Sequence, residues 1–382
     1  MPQTSFRTYS IILLFSAAIS LPLINGYIHV LDDIPSFENR AMAKQPTLNI
    51  KRLDPFPARY DTFYNDHFDL RNTLIKYYNI YNIRAYRKSP IPSVIIGAND
   101  WLYLTGDEMD SYMGKNRLTA KELFSYKEEL EYRKRYLAER NIKFYFLVIP
   151  CKASIYSENI GYEYFRHSKE TWGEQLNNYL AHNSSIKPIG VFDSLRANKK
   201  PNNLFYKLDN HWNDLGAFYT ANEVFRRMHQ DFPAIEPLQL SDFTIKHSVN
   251  PSGNLEKMLG NLGIFSESSV ELVPKNGFKS AEANKTGYPP IEGFVYPWDY
   301  EVVREIKGST KPKLLIIGDS FGKNIFPFLS ENFCKTVKIF DSWHYGINEP
   351  IVESEKPDAV ILMIDEPVIR SLLKYTTRRA EK

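Results

Sequence analysis

The chain has 382 residues, of which 43% are hydrophobic and 24% charged, with 48 Lys and Arg against 45 Asp and Glu for a net charge of +3. This length buries a full core with room for a smaller second module, and the composition is that of an ordinary folded protein. So small a net charge, with no long basic stripe, argues against a nucleic-acid partner.

Aromatic residues make up 14% of the chain, with 25 Tyr and 24 Phe. Core packing is the plainer use for them, and stacking against sugar rings the sharper one. Two cysteines, Cys151 and Cys334, make no metal-ligand spacing. Two buried thiols are the default expectation, or a disulfide if the chain is exported. No phosphate loop or metal cluster is visible, so neither cofactor nor metal is expected.

In chain order, the first element is an address. No Asp, Glu, Lys or Arg lies between Arg7 and Asp32, and Ile11 to Ile24 is its apolar heart. A charge-free run of this length can cross a bilayer core of about 30 Å as a helix. Residues 1–32 therefore read as a signal anchor or a signal peptide. Pro22, Asn25 and Gly26 weaken a spanning helix, but no crisp cleavage site stands out. An uncleaved single-pass anchor in the inner membrane, with Arg7 inside, is preferred. The body then faces the periplasm or the extracellular side.

Residues 33–90 read as an extended lead-in with a helix over 59–83. Residues 93–104 read as two short strands around a Gly/Asn/Asp turn. Thr119 and Glu122 form a capping box for a helix reaching Arg140. Lys143–Ile149 is a buried strand stopped by Pro150. A helix over 168–182, a short strand over 188–193 and a helix over 213–230 follow. Residues 233–310 read as an irregular insertion. The chain then alternates again: strand 313–317, helix 322–333, strand 336–340, short helix 349–355, strand 359–364 and helix 368–375. Strands alternating with helices imply an α/β fold with a doubly wound parallel sheet. The main domain is placed at 91–382.

Two motifs carry chemistry. A strand ending in Gly318-Asp319-Ser320-Phe321 exposes a serine where open α/β sheets bind ligands, beyond the carboxyl ends of the strands. The following helix N-terminus offers backbone N–H groups to a developing oxyanion. A hydroxyl needs a base, and Asp209-Asn210-His211-Trp212 offers one. In extended backbone, residues two apart point the same way, so Asp209 can orient the His211 ring. Gly-Asp-Ser alone is more often a turn or a helix cap, and Asp-x-His alone could be a surface loop or half a metal site. Together they make a serine acyl-transfer enzyme the preferred reading. His67 reads as structural, His344 as a loop residue, and Trp212 as packing for the helix after it.

Read from 313 onward and then back to 143, the strands and loops follow the order of an SGNH (GDSL-like) hydrolase, circularly permuted. At these residues the chain resembles the alginate O-acetyltransferases of the AlgJ/AlgX type and the related proteins named for a DHHW motif. The resemblance covers most of the chain after residue 35. It rests on Glu38-Asn39-Arg40, Asp66-His67-Phe68 with Arg71, Gly97 to Leu102, Pro150-Cys151-Lys152 with Ile155-Tyr156, and Gly253-Asn254-Leu255, besides the two motifs.

The resemblance implies Ser320 as nucleophile, His211 as base and Asp209 as orienting acid. It also implies a polysaccharide acceptor and a membrane-bound O-acyltransferase that passes acetyl outward. Departures are Asn210 where the motif name has His, and Asp365-Glu366 where ordinary SGNH enzymes place an oxyanion Asn. Ionised carboxylates cannot donate. The Ser320 backbone N–H is then the firmest oxyanion donor. Gly346 and Asn348 are candidate partners for it, with Tyr345 bordering the site. An esterase or deacetylase with the same triad, and a non-catalytic polysaccharide-binding protein, stay open.

Overall fold

The protein is seen in a computed structural model that describes residues 3–36, 41–51, 53–250, 252–290, 294, 296, 299–341 and 344–374. Glu38-Asn39-Arg40, Trp343 and Tyr375 lie outside the described residues.

Helix α1 (Gln3–Ile28) takes in all but the last three residues of the charge-free run, and Pro22 lies inside it without ending it. Its segment Arg7–Ile28, 22 residues with a mean hydropathy of 2.0, is long and apolar enough to cross a membrane. The single helix expected over 59–83 is two, α2 (Pro55–His67) and α3 (Arg71–Tyr86). Leu70 breaks it by adopting left-handed backbone at φ 59°. The Asp33 carboxylate then takes the orphan donors of α3, accepting from the backbone of Asn72 (3.1 Å) and Thr73 (2.8 Å) and from the Thr73 hydroxyl (2.7 Å).

Strands β1 (Val94–Ile96) and β2 (Leu102–Leu104) lie on either side of a turn with Asn99 at φ 54°. Helices α4 (Asp107–Met113) and α5 (Ala120–Ala138) follow, and the Thr119–Glu122 capping box is present at the start of α5. Next come β3 (Lys143–Ile149) and α6 (Lys152–Ile155). Helix α7 (Trp172–Asn183) starts four residues later than expected, because Thr171 and Glu174 make a second capping box. The strand expected over 188–193 is absent. Ile189 makes one backbone bond to Phe146 (2.9 Å), and the chain turns into α8 (Phe192–Asn198). The apolar residues there, Ile189 and Val191, are buried as core plugs rather than as a ladder. Asn213 caps α9 (Asp214–His229), accepting from Leu215 and Gly216.

The stretch read as irregular contains regular structure. Strands β4 (Phe243–Asn250) and β5 (Glu267–Pro274) form an antiparallel ribbon, with α10 (Asn254–Met258) between them in sequence. Strands β6 (Ala281–Glu282) and β7 (Glu301–Glu305) follow. The chain closes with β8 (Lys313–Gly318), α11 (Gly322–Ser330), β9 (Lys335–Phe340), α12 (Glu349–Glu355), β10 (Ala359–Asp365) and α13 (Ser371–Lys374).

Six strands share one sheet in the order β3-β10-β8-β9-β7-β6. The first four are parallel, whereas β7 runs antiparallel to β9 and β6 to β7. The doubly wound parallel sheet is thus real, with an antiparallel extension on one side. Its parallel strands are buried almost end to end, as their continuous apolar runs require. Their carboxyl ends all open on one edge. Residues 97–251 with 266–382 form the compact unit that holds this sheet; residues 1–96 with 252–265 form another.

Candidate active site

Ser320 sits in the turn between β8 and α11, and its side chain is exposed. The turn comes close to β10: a Cβ on Gly318 would lie 3.1 Å from that of Met363, tight enough that the neighbour would have to give by a few tenths of an ångström. His211 and Asp209 arrive on a loop pinched by an antiparallel bridge between Phe205 and Trp212. That loop presses on α9, where a Cβ on Gly216 would meet the Leu204 carbonyl at 2.3 Å. Buried Trp212 fixes the loop to the serine turn, donating from Nε1 to the Phe321 carbonyl (3.1 Å) and packing edge-on against the Phe321 ring.

The structure brings Ser320, His211 and Asp209 into one row. Ser320 Oγ lies 2.7 Å from His211 Nε2, and His211 Nδ1 lies 2.7 Å from Asp209 Oδ1. A carboxylate only accepts, so Nδ1 carries the hydrogen and Nε2 is left to accept the serine O–H. The His211 backbone N–H also donates to Asp209 Oδ1 (3.1 Å), which holds the i, i+2 pairing. Among the described residues the Ser320 backbone N–H donates to nothing, and it points from a helix N-terminus.

One oxyanion candidate, Gly346, is corrected, and the other, Asn348, has its side-chain oxygen engaged. The Gly346 N–H is already given to Asp341 Oδ2 (3.0 Å), and Asn348 Oδ1 caps α12 by accepting from Ile351 (3.2 Å). Both are loop-building groups. Tyr345 is buried, with left-handed backbone at φ 47°, and its hydroxyl donates to Asp319 Oδ2 (3.1 Å). It therefore supports Asp319 rather than facing a ligand. Asp319 also accepts from the backbone of Phe321 (3.0 Å) and Asp365 (2.8 Å). Burial pushes its carboxyl up from the usual carboxylate range, against those three donors and the nearby His211. His344 Nδ1 lies 3.5 Å from Asp341 Oδ1. Cys151 and Cys334 are free thiols, not a disulfide. Among the described residues no cluster of His, Cys, Asp and Glu could hold a metal.

One residue stood in the sequence only as part of the Pro150-Cys151-Lys152 resemblance, with no role of its own. Lys152 is fully buried, and its Nζ donates to three carbonyls of the loop that carries Asp209: Tyr206 (3.1 Å), Lys207 (3.0 Å) and Asp209 itself (2.7 Å). Burial lowers its pKa to about 8, against the pull of Glu108, Asp209 and Glu267. Burial likewise raises Glu108 to about 7, against Lys152. A second carboxylate, Glu366, is buried and fully occupied. It accepts from Ser111 (3.0 Å), Gly173 (3.0 Å), Cys151 (3.1 Å) and Ser154 (2.8 Å), and so ties the ends of β3, α4 and α7 together.

Lys338, on β9 beneath the α11 N-terminus, supplies a stability test. Burial lowers its pKa from 10.5 to about 8, with Asp299 and Asp319 opposing. Below pH 8 the folded protein therefore carries the cost of a buried ammonium. Between pH 8 and 10.5 the unfolded chain binds more protons than the folded one, so stability rises with pH there. Lys338→Met is expected to raise stability at pH 7 by on the order of 3 kcal/mol, with the gain shrinking above pH 8. Denaturant unfolding at pH 7 and pH 9.5 checks it; a gain independent of pH contradicts it.

A mixed α/β sheet in this permuted order, with the serine turn at the carboxyl edge of its parallel strands, is an SGNH-hydrolase-like fold. The chain belongs to the family described as SGNH hydrolase-like domain, acetyltransferase AlgX, which matches residues 94–287, just over half its length. A Pseudomonas aeruginosa protein described as probable alginate O-acetylase AlgJ is 28% identical over 197 residues, 51% of this chain and 46% of that protein. An Azotobacter vinelandii protein of the same description is 23% identical over 133 residues, 35% of this chain and 33% of that protein. The chain thus spans about half the length, or less, of the curated relatives it matches. Among solved structures, Bacillus cereus PatB1 with a sulfonyl adduct superposes with a TM-score of 0.53 at 18% identity, covering 74% of this chain and 100% of PatB1. That is a likeness of fold.

Proposed function

We propose that the protein is an O-acetyltransferase that places acetyl groups on hydroxyls of an extracellular or envelope polysaccharide. The observation that carries this reading is the hydrogen-bonded row of Ser320, His211 and Asp209 at the carboxyl edge of the sheet. Ser320 attacks the acetyl carbonyl while His211 Nε2 takes its proton. Asp209 holds the imidazole in that tautomer and stabilises the imidazolium. The Ser320 N–H receives the oxyanion. His211 returns the proton to the departing group, leaving acetyl-Ser320. A sugar hydroxyl then gives its proton to His211 and takes the acetyl. The family membership supports acetyl transfer, and the description of the AlgJ relatives as alginate O-acetylases supports a polysaccharide acceptor.

Helix α1 is the membrane anchor in this reading, with the sheet-bearing unit outside the inner membrane and a membrane-bound O-acyltransferase as donor. The exposed Ser320 side chain also favours a second reading, in which water is the acceptor and the protein is an esterase. The full chain in detergent, given an activated acetyl ester with and without oligosaccharide, separates the two. Acetylated sugar is the expected product; free acetate alone, whatever sugar is supplied, would assign the esterase.

A further inference from the structure

Helix α3 turns its aromatic side outward. Leu74, Tyr77, Tyr78 and Tyr81 recur at the spacing of one helix face. All four are exposed, the three tyrosines by 65%, 63% and 61%. The opposite side is the one spent inside the protein. Asn79 and Ile83 are buried there, and Asn79 Nδ2 donates to the Leu259 carbonyl (2.6 Å). A helix that hides an amide and shows a row of tyrosines has an unpartnered face.

Its charge and its place both point to a lipid surface. No Asp or Glu lies between Asp69 and Asp100, whereas Arg71, Lys76, Arg84, Arg87 and Lys88 do. Arg84, Arg87 and Lys88 are exposed at the end of α3. The start of α3 is tied to the outer end of α1. Asn25, buried within the last turn of α1, donates from Nδ2 to Asp69 Oδ2 and to the Leu31 carbonyl (2.8 Å). Asn72 Nδ2 donates to the Ile34 carbonyl (3.0 Å), beside the bonds that Asp33 accepts from Asn72 and Thr73. A bilayer core of about 30 Å takes about 20 residues of helix, so with Arg7 at the inner surface the hydrocarbon ends within a turn of Asn25. The first turn of α3 is therefore held where α1 leaves the bilayer.

We propose that α3 lies in the headgroup layer of the membrane that α1 crosses, with Leu74, Tyr77, Tyr78 and Tyr81 turned into it and Arg84, Arg87 and Lys88 on anionic lipid phosphates. This rests on the reading of α1 as the anchor. A tyrosine ring buries its apolar body at such a boundary and keeps its hydroxyl in water. Each basic group near an anionic surface multiplies the population held there by about five. The segment after α1 is thereby fixed on the surface by a second contact.

The test uses the full chain with Cys334→Ser, which leaves Cys151, a buried thiol, as the other cysteine. A nitroxide is placed at Tyr78→Cys, or at Tyr162→Cys as the standard for full water access, since Tyr162 is 95% exposed. Each protein is reconstituted in vesicles of phosphatidylglycerol and phosphatidylcholine, floated, and its spin relaxation measured with oxygen and with a water-soluble nickel complex. Nickel collisions at position 78 are expected to fall about fivefold or more below those at 162, with oxygen collisions raised. Exchanging Arg84, Arg87 and Lys88 together for Gln is expected to return the label to water, because about 100-fold of the surface population is lost. A floated chain whose position 78 meets nickel as freely as position 162 overturns the lipid contact alone and assigns the stripe to a protein partner. Protection that survives the triple exchange also overturns it. A chain that does not float with the vesicles overturns the anchor reading and this contact with it.

Discussion

Ser320→Ala is expected to lower turnover of an acetyl ester by roughly four to six orders of magnitude, close to the loss found when a serine nucleophile is removed from a working triad. The physical reason is that no other group can take its place. The nearest thiol, Cys151, is buried, and burial keeps it protonated. Water could still be activated by His211, but without a covalent intermediate one difficult step is no longer split into two easier ones. The side chain is exposed and small, so its truncation leaves the core untouched and melting should not change. Turnover and thermal unfolding measured on the same preparation check both halves. Retained turnover in Ser320→Ala contradicts the assignment of the nucleophile.

Lys152→Met is expected to be the most damaging substitution outside the row. The methionine would fill most of the volume, so the loss is polar. Three main-chain carbonyls lose their donor, and Glu108 loses the buried cation that opposes its burial. Removing one partner of a buried charge cluster costs about 3–5 kcal/mol, roughly 5 °C in melting temperature for a chain of this size. Lys152 also holds the carbonyl of Asp209 itself at 2.7 Å, so the carboxylate that orients His211 loses its seat. A misplacement near 1 Å can cost about a hundredfold in rate. We expect kcat to fall with KM little changed. A variant that melts as wild type does and retains its rate would show that the loop holds its shape without the ammonium.

How much of this was legible in the sequence follows from the kind of signal each part carries. The four parallel strands announce themselves as apolar runs, because strands covered on both faces need not alternate. Each capping box spans four residues and is a local signal, but only the one at Thr119 was read; the one at Thr171 was passed over for a helix start at 168. The break at Leu70 was not legible, because a left-handed leucine is set by tertiary packing and the distant Asp33 carboxylate. Residues 188–193 mimic a buried strand, since burial alone selects Ile189 and Val191. The β4–β5 ribbon was missed because its pattern is partly exposed and interrupted by loop-like composition.

The candidate site divides in the same way. Ser320, His211 and Asp209 stand in short motifs whose chemistry is readable from residue type and spacing. Gly346 and Asn348 sit in the expected loop, yet the Gly346 donor is spent on Asp341 and the Asn348 acceptor on α12, which spacing cannot reveal. Lys152 and Asp319 matter through what surrounds them. A lysine or an acid just after a strand is unremarkable until three carbonyls, or three donors, are found around it.

The measurement that bears most directly on the central claim is the mass of the peptide containing Ser320 after brief exposure of the full chain to an acetyl ester and acid quenching. A triad working as described leaves that peptide heavier by one acetyl group, with fragment ions assigning it to Ser320 and no such adduct in Ser320→Ala. Product release without any adduct on Ser320, or an adduct that forms equally in Ser320→Ala, would contradict it.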